Sequence, residues 1–174
     1  MKQEIVLLEG ADNCGKSTIG HALSAATGIP YFKNGNEHRA FQGHQTHLLT
    51  RYAGLTMAEF LQQTRNSAIF DRSYPSEYAY GHAFNREVEH DIIRRLDEMH
   101  AQMGAVIVYC FKRGYRHFED DLISLGDVAA IRQGFRQFLD MTKCRVLELD
   151  TTSENLEYQI GTIRSFLDRH LRIA

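Results

Sequence analysis

The sequence predicts a three-layer α/β fold, doubly wound around a five-stranded parallel sheet. Short apolar runs alternate with segments of helical spacing over all 174 residues. The apolar runs mostly lack an in-out alternation, as expected of strands buried on both faces. Helices set between parallel strands must return over the sheet faces through right-handed crossovers, and ligands then gather at the carboxyl ends of the strands.

In chain order the strands are expected at Ile5 to Leu8, Tyr31 and Phe32, Ala68 to Phe70, Ala105 to Phe111 and Arg145 to Leu149. The first helix is expected over Lys16 to Thr27, with Ile19 and Leu23 on one face and Gly28 as its stop. A second runs from about His44 to Tyr52. Thr56 and Glu59 form a capping-box pattern for a third, which carries Phe60 and Leu61. Val88, Ile92, Leu96, Met99 and Met103 form a stripe ended by Gly104. Asp127 is the expected cap of a helix with Ile131, Phe135 and Phe138 inward, and Thr151, Thr152 or Ser153 that of a last helix through Leu156, Ile160, Ile163 and Leu167. No linker, repeat or low-complexity stretch interrupts the series, so residues 1–174 read as one domain.

Composition narrows the function. Hydrophobic residues make up 43% and charged residues 24%, which suits a globular core and excludes a disordered chain. A net charge of -2 offers no basic track, which argues against DNA as the partner although a local patch would still permit it. Fifteen arginines against five lysines suit bidentate phosphate contacts. The apolar run near the start is too short for a secretion signal or a membrane span, and three cysteines without a CxxC pair suggest reduced thiols. A cytoplasmic location without membrane contact follows as the expectation.

The strongest motif is Gly10-Ala-Asp-Asn-Cys-Gly15-Lys16-Ser17, which matches GxxxxGK[ST] between an apolar strand and an amphipathic helix. Such a loop turns successive backbone N–H groups toward a phosphate at a helix N-terminus. Gly10, Asn13, Cys14, Gly15, Lys16, Ser17 and Thr18 are therefore the expected ATP-binding residues. Lys16 should reach the β- and γ-phosphates, and the Ser17 hydroxyl should ligate Mg²⁺. Asp71, at the end of the strand Ala68-Ile-Phe-Asp, is the second expected metal ligand, and Arg72 beside it is placed to bridge donor and acceptor phosphates.

Glu9-Gly-Ala-Asp-Asn-Cys-Gly-Lys-Ser-Thr18 resembles the opening of thymidylate kinases. Further residues follow in register: Leu48-Leu49-Thr50-Arg51 lies 20 positions before Asp71-Arg72, and Ala79-Tyr80 follows the Asp-Arg pair as in that family. The resemblance spans nearly the whole chain and implies a phosphate-loop kinase fold with a short lid over approximately residues 112–126.

It also implies roles. Asp12 would contact the sugar 3′-hydroxyl or the nearby acceptor phosphate, Arg51 the pyrimidine edge, and Tyr80 the sugar 2′ position, favouring deoxyribose. Asn13 stands where some relatives have a loop arginine, so Arg113 and Arg116 of the lid would supply the missing cation, joining Lys16, Asp71 and Arg72 as catalytic residues. His47 stands where the family has a stacking phenylalanine, which would suit a more polar or modified pyrimidine. The implied function is Mg²⁺- and ATP-dependent phosphoryl transfer to a pyrimidine deoxynucleoside monophosphate, a small-molecule partner, by an enzyme that is a homodimer in the family.

Three alternatives remain open at this level. Asp71-Arg72-Ser73 also resembles the Glu-Arg-Ser segment of deoxynucleoside kinases, whose neutral hydroxyl acceptor needs a general base. A hydroxymethyl-modified pyrimidine, free or in DNA, is a further acceptor. A nucleotide switch or motor ATPase is the alternative from another class.

Overall fold

The computed structural model describes residues 3–34, 46–114 and 123–171. Its five strands are β1 (Ile5–Glu9), β2 (Tyr31–Lys33), β3 (Ala68–Asp71), β4 (Val106–Phe111) and β5 (Arg145–Asp150). They pair in the order β2-β3-β1-β4-β5, all parallel, with helices on both faces. This is the doubly wound sheet that the strand pattern predicts. The order reverses beside β1, so the ends of β1, β3 and β4 open onto the crevice where ligands of such sheets bind.

The helices are α1 (Lys16–Thr27); α2, which begins as Thr46–Leu49, widens to a π-helical turn over Thr50–Gly54 and continues as Leu55–Thr64; α3 (Tyr74–Ala83); α4 (His90–Gln102); α5 (Leu125–Leu139); and α6 (Leu156–Leu171). Val6 and Leu8 of β1 face a core completed by Ile19 and Leu23 of α1 and Ile163 and Leu167 of α6. Ile5 and Leu7 face the opposite core, with Leu61 of α2 and Ile93 and Leu96 of α4. Full burial of each such side chain contributes about 1.5–3 kcal/mol, and both faces of β1 draw on it, which explains the absence of alternation. Among the described residues no helix is long and apolar enough to cross a membrane.

Several local expectations are corrected. Thr56 does not start a helix, because α2 runs through Gly54 in αR geometry with no side-chain cap. Ser124 caps α5, and Asp127 answers from the third helical position: its Oδ2 accepts from Ser124 N at 2.8 Å while Ser124 Oγ accepts from Asp127 N at 3.2 Å. At the start of α6 the cap is Asn155, whose Oδ1 accepts from Tyr158 N at 3.0 Å. Helix α3 carries no pattern that the periodicity detects, since it buries Tyr74, Pro75, Ser76, Tyr78, Ala79 and Gly81 on several sides at once. It is pressed against α5, where a Cβ on Gly134 would stand 2.6 Å from the Ala79 carbonyl oxygen.

Candidate active site

The loop after β1 wraps into left-handed backbone at Asn13 (φ 59°) and Gly15 (φ 78°), and α1 starts at Lys16. Alternating conformations of this kind turn amide hydrogens inward and make an anion cradle. Gly10 is required twice over: its φ is 137°, and a Cβ there would collide with the Cys110 carbonyl oxygen of β4. Lys16 is buried, and its Nζ donates to Ala11 O of the same loop at 2.6 Å. Burial and the nearby Arg72 charge hold its pKa below the usual lysine value. Cys14 is buried, while Asn13 and Thr18 are exposed.

Beside the loop, Ser17 Oγ donates to Asp71 Oδ2 at 2.6 Å, and Tyr31 OH donates to the same oxygen at 2.8 Å. Lys33 Nζ donates to Ser17 Oγ at 3.2 Å. Burial and the bond to Asp71 push the Tyr31 phenol up to about 12, so it stays a donor. A hydroxyl and a carboxylate thus meet at the N-terminus of α1, both hard oxygen donors.

Arg72 follows Asp71 with φ 70°, a left-handed residue without the freedom of glycine. The turn is held by Arg72 N, which donates to Leu8 O at 3.0 Å, and by Asn34 Nδ2, which donates to Arg72 O at 3.0 Å. It aims the guanidinium at Asp12, with which it forms an ion pair, and sets it 4.7 Å over the Tyr80 ring. Tyr80 OH donates to the other Asp12 oxygen at 2.5 Å. Burial opposes the Asp12 charge, but Arg72 and Tyr80 outweigh it and hold the carboxyl below its ordinary range. Three residues, from the segments after β1 and β3 and from α3, are locked into one unit.

That unit borders a cavity of about 660 Å³. Asp12, Arg72, Ser73, Ser76 and Tyr80 line its polar side, while Phe70, Leu49, Ala53, Met57 and Leu96 contribute apolar wall. A mostly apolar cleft with a few convergent polar groups is the usual form of a small-molecule site.

Glu9 is a residue that the motif reading passed over. It ends β1 with no exposed surface, accepts from Ser76 Oγ at 2.5 Å, and leaves its second oxygen without a hydrogen bond among the described residues. Burial pushes its carboxyl up from 4.5 to about 7, against the pull of Ser76 and Arg72. The available signal was a charged residue closing a strand that is otherwise wholly apolar.

No family model matches the sequence, and no curated protein matches it significantly. Solved structures do match in shape. The YorR protein of Bacillus subtilis, in complex with phosphorylated GDP, superposes with a TM-score of 0.74 at 20% identity, covering 98% of this chain and 99% of that one. Thymidylate kinase from Candida albicans gives 0.63 at 18% identity, over 97% and 94% of the two chains. Deoxyadenosine kinase from M. mycoides, with the products dCMP and dCDP, gives 0.57 at 16% identity, over 95% and 99%. The chain has the P-loop kinase fold. At these identities the likeness speaks for the fold, and it agrees with the architecture expected from the phosphate loop.

On that fold the expected residues divide. Lys16, Ser17, Asp71, Arg72, Asp12 and Tyr80 converge on the crevice through the bonds described above. Arg51 does not line the cavity: Nη1 pairs with Glu89 Oε2 at 2.9 Å with the side chain half-exposed. His47 lies 3.8 Å from Glu87 and is also outside the wall. The wall instead uses Leu49, Thr50, Ala53, Gly54 and Met57, the face that the π turn presents. Arg113 pairs with Asp150 at 2.8 Å on the far side of β4. Arg116 and most of the expected lid lie outside the described residues.

Proposed function

We propose that the protein is a kinase that transfers the γ-phosphoryl group of ATP to a pyrimidine deoxynucleoside monophosphate, releasing ADP and the diphosphate. The observation that carries this reading is the Asp12–Arg72–Tyr80 unit, which joins the phosphate loop directly to a cavity of nucleotide size. A switch ATPase needs a positioned water and a partner surface, whereas this crevice offers a place for a second small molecule beside the phosphates.

The loop amides and Lys16 hold the donor phosphates. The monophosphate acceptor is already an anion, so the chain's contribution is in-line placement and charge neutralisation by Lys16 and Arg72. Arg113 and Arg116 are assigned to complete the charge shell when the donor is bound. Ser17 and Asp71, adjacent hard oxygen donors, fit a magnesium ion and would hold it; that ion supplies charge compensation for the donor phosphates. Asp12 orients the acceptor sugar or phosphate, and Tyr80, stacked under Arg72, closes the sugar side against a 2′-hydroxyl. His47 and Arg51 are assigned to the outer edge of the base site, reached from α2.

Incubation with ATP, Mg²⁺ and dTMP, dUMP, dCMP or hydroxymethyl analogues, followed by mass analysis of products, tests the reading. A deoxynucleoside diphosphate is expected; ADP with unchanged acceptors would refute it.

Glu9 favours a second reading. A neutral hydroxyl acceptor needs a general base, and Glu9, a buried carboxyl titrating near 7, reaches the cavity through Ser76, which lines it and donates to Glu9. The same panel run with deoxynucleosides separates the two. Monophosphate formation that Glu9→Gln abolishes would support the nucleoside reading.

A further inference from the structure

The wall formed by α2 and α4 carries two polar side chains, Thr50 of α2 and, on α4, His100. His100 is 4% exposed, and α4 brings it to the cavity one turn after Leu96. Its Nδ1 lies 2.8 Å from Leu96 O. A carbonyl oxygen only accepts, so Nδ1 carries the proton. Burial holds the imidazole pKa below its ordinary value and keeps the ring neutral. Nε2 is then a bare lone pair.

Nothing among the described residues uses that lone pair. The neighbouring Tyr74 ring lies 5.1 Å away between centroids, but its hydroxyl donates to Asp97 Oδ1 at 3.0 Å. Thr50 makes no hydrogen bond to His100, and the rest of this wall is Leu49, Ala53, Gly54, Met57 and Leu96, which have no side-chain donor. Gly54 lets Leu96 pack close to α2, since a Cβ there would stand 3.3 Å from Leu96 Cδ1. An acceptor on a residue that lines a mostly apolar cleft, without a partner among the described residues, is a group left for a ligand.

We propose that His100 is a specificity-determining residue that accepts, through Nε2, an N–H hydrogen bond from the heterocyclic base of the bound nucleotide. The inference rests on the kinase reading, in which Arg72 takes the acceptor phosphate and the base turns toward α2 and α4. It deepens that reading by naming the chemistry of the base edge: a ring imide or an exocyclic amine, both donors, in preference to an edge that presents only acceptors or alkylated nitrogen. A site built to take a donor discriminates strongly against an analogue that lacks one.

The test compares binding of three monophosphates with their alkylated counterparts by titration calorimetry: dTMP and N3-methyl-dTMP, dCMP and N4,N4-dimethyl-dCMP, dAMP and N6,N6-dimethyl-dAMP. For the parent that binds best, alkylation is expected to weaken the wild type about 10- to 100-fold. His100→Phe keeps an aromatic ring in place, and in it the two forms should bind within about threefold of each other. An equal penalty in His100→Phe would mean that alkylation clashes with the wall, and no penalty in the wild type would mean that the edge is not read; either result overturns the proposal. A second measurement needs no variant. In ¹⁵N NMR of histidine-labelled wild type, the His100 Nε2 resonance should move on saturation with the parent and stay in place with the alkylated form. A nucleotide that is phosphorylated without moving this resonance overturns the His100 role alone. If no monophosphate binds or is phosphorylated, the kinase reading falls with it.

Discussion

Replacing Glu9 by Gln should make the protein more stable, and increasingly so as pH rises. The wild-type carboxyl has no exposed surface, and its burial raises it from 4.5 to about 7. Below 4.5 the carboxyl is protonated in both folded and unfolded chains, and folding carries no ionisation penalty. Between 4.5 and about 7 the unfolded chain ionises first, so wild-type stability falls as pH rises; above 7 the loss is complete. At about 1.4 kcal/mol per tenfold step in the proton equilibrium, the gap corresponds to about 3 kcal/mol. Glutamine keeps the shape and an oxygen for Ser76 Oγ, and it cannot ionise. Urea unfolding should therefore favour Glu9→Gln by about 1 kcal/mol at pH 5 and about 3 kcal/mol at pH 8.5. An advantage that is absent, or that does not grow between those pH values, would refute the assignment of a strained buried carboxyl. Retaining an acid here lowers stability at neutral pH, as expected of a residue kept for function.

The remaining predictions concern the loop and the acceptor side. Lys16→Ala and Arg72→Ala should each lower phosphoryl transfer by at least about 10³-fold while far-ultraviolet circular dichroism stays unchanged, and near-normal rates in either would remove it from the catalytic set. Gly10→Ala should lose several kcal/mol in urea unfolding, because the alanine is strained at φ 137° and collides with the Cys110 carbonyl oxygen; a stable Gly10→Ala would contradict the loop geometry. Tyr80→Ala should raise the activity on a ribonucleotide relative to its deoxy form, whereas an unchanged ratio would mean that Tyr80 serves only to hold Asp12 and Arg72. Gly134→Ala should lower the melting temperature: helix propensity gains about 1 kcal/mol, but pushing α5 off the Ala79 backbone costs about 1–3 kcal/mol.

The parts of the fold visible in the sequence are those where one local cause dominates. Ile5 to Leu8 and Ala105 to Phe111 read as strands because both faces are apolar, and Gly28 stops α1 because it takes φ 73°. Helix α3 stayed hidden because burial on several sides erases its periodicity, and its small residues serve close packing against α5. The π turn at Thr50–Gly54 has no composition signal, yet it decides that Thr50, Ala53 and Gly54 meet the cavity while Arg51 pairs with Glu89.

The site shows the same division. Spacing alone reveals the phosphate loop, since Lys16 and Ser17 must follow the glycines directly. The Arg72–Asp12 and Tyr80–Asp12 contacts join residues 60 and 68 positions apart. Only the parallel pairing of β1 with β3 and the packing of α3 bring them together. Glu9 and His100 were missed for a common reason, that their chemistry comes from burial, which a linear pattern of residue types does not record.

The central claim is that the phosphate loop serves a second substrate held at Arg72. Its most direct measurement is the rate of ADP release from ATP and Mg²⁺ with and without acceptors: the four deoxynucleoside monophosphates, dUMP, hydroxymethyl analogues, the matching nucleosides, and DNA with modified bases. ADP release that rises steeply with one pyrimidine monophosphate, and that Arg72→Ala removes, is the predicted result. Equal ADP release with and without every acceptor would contradict it and make the protein a hydrolase rather than a kinase.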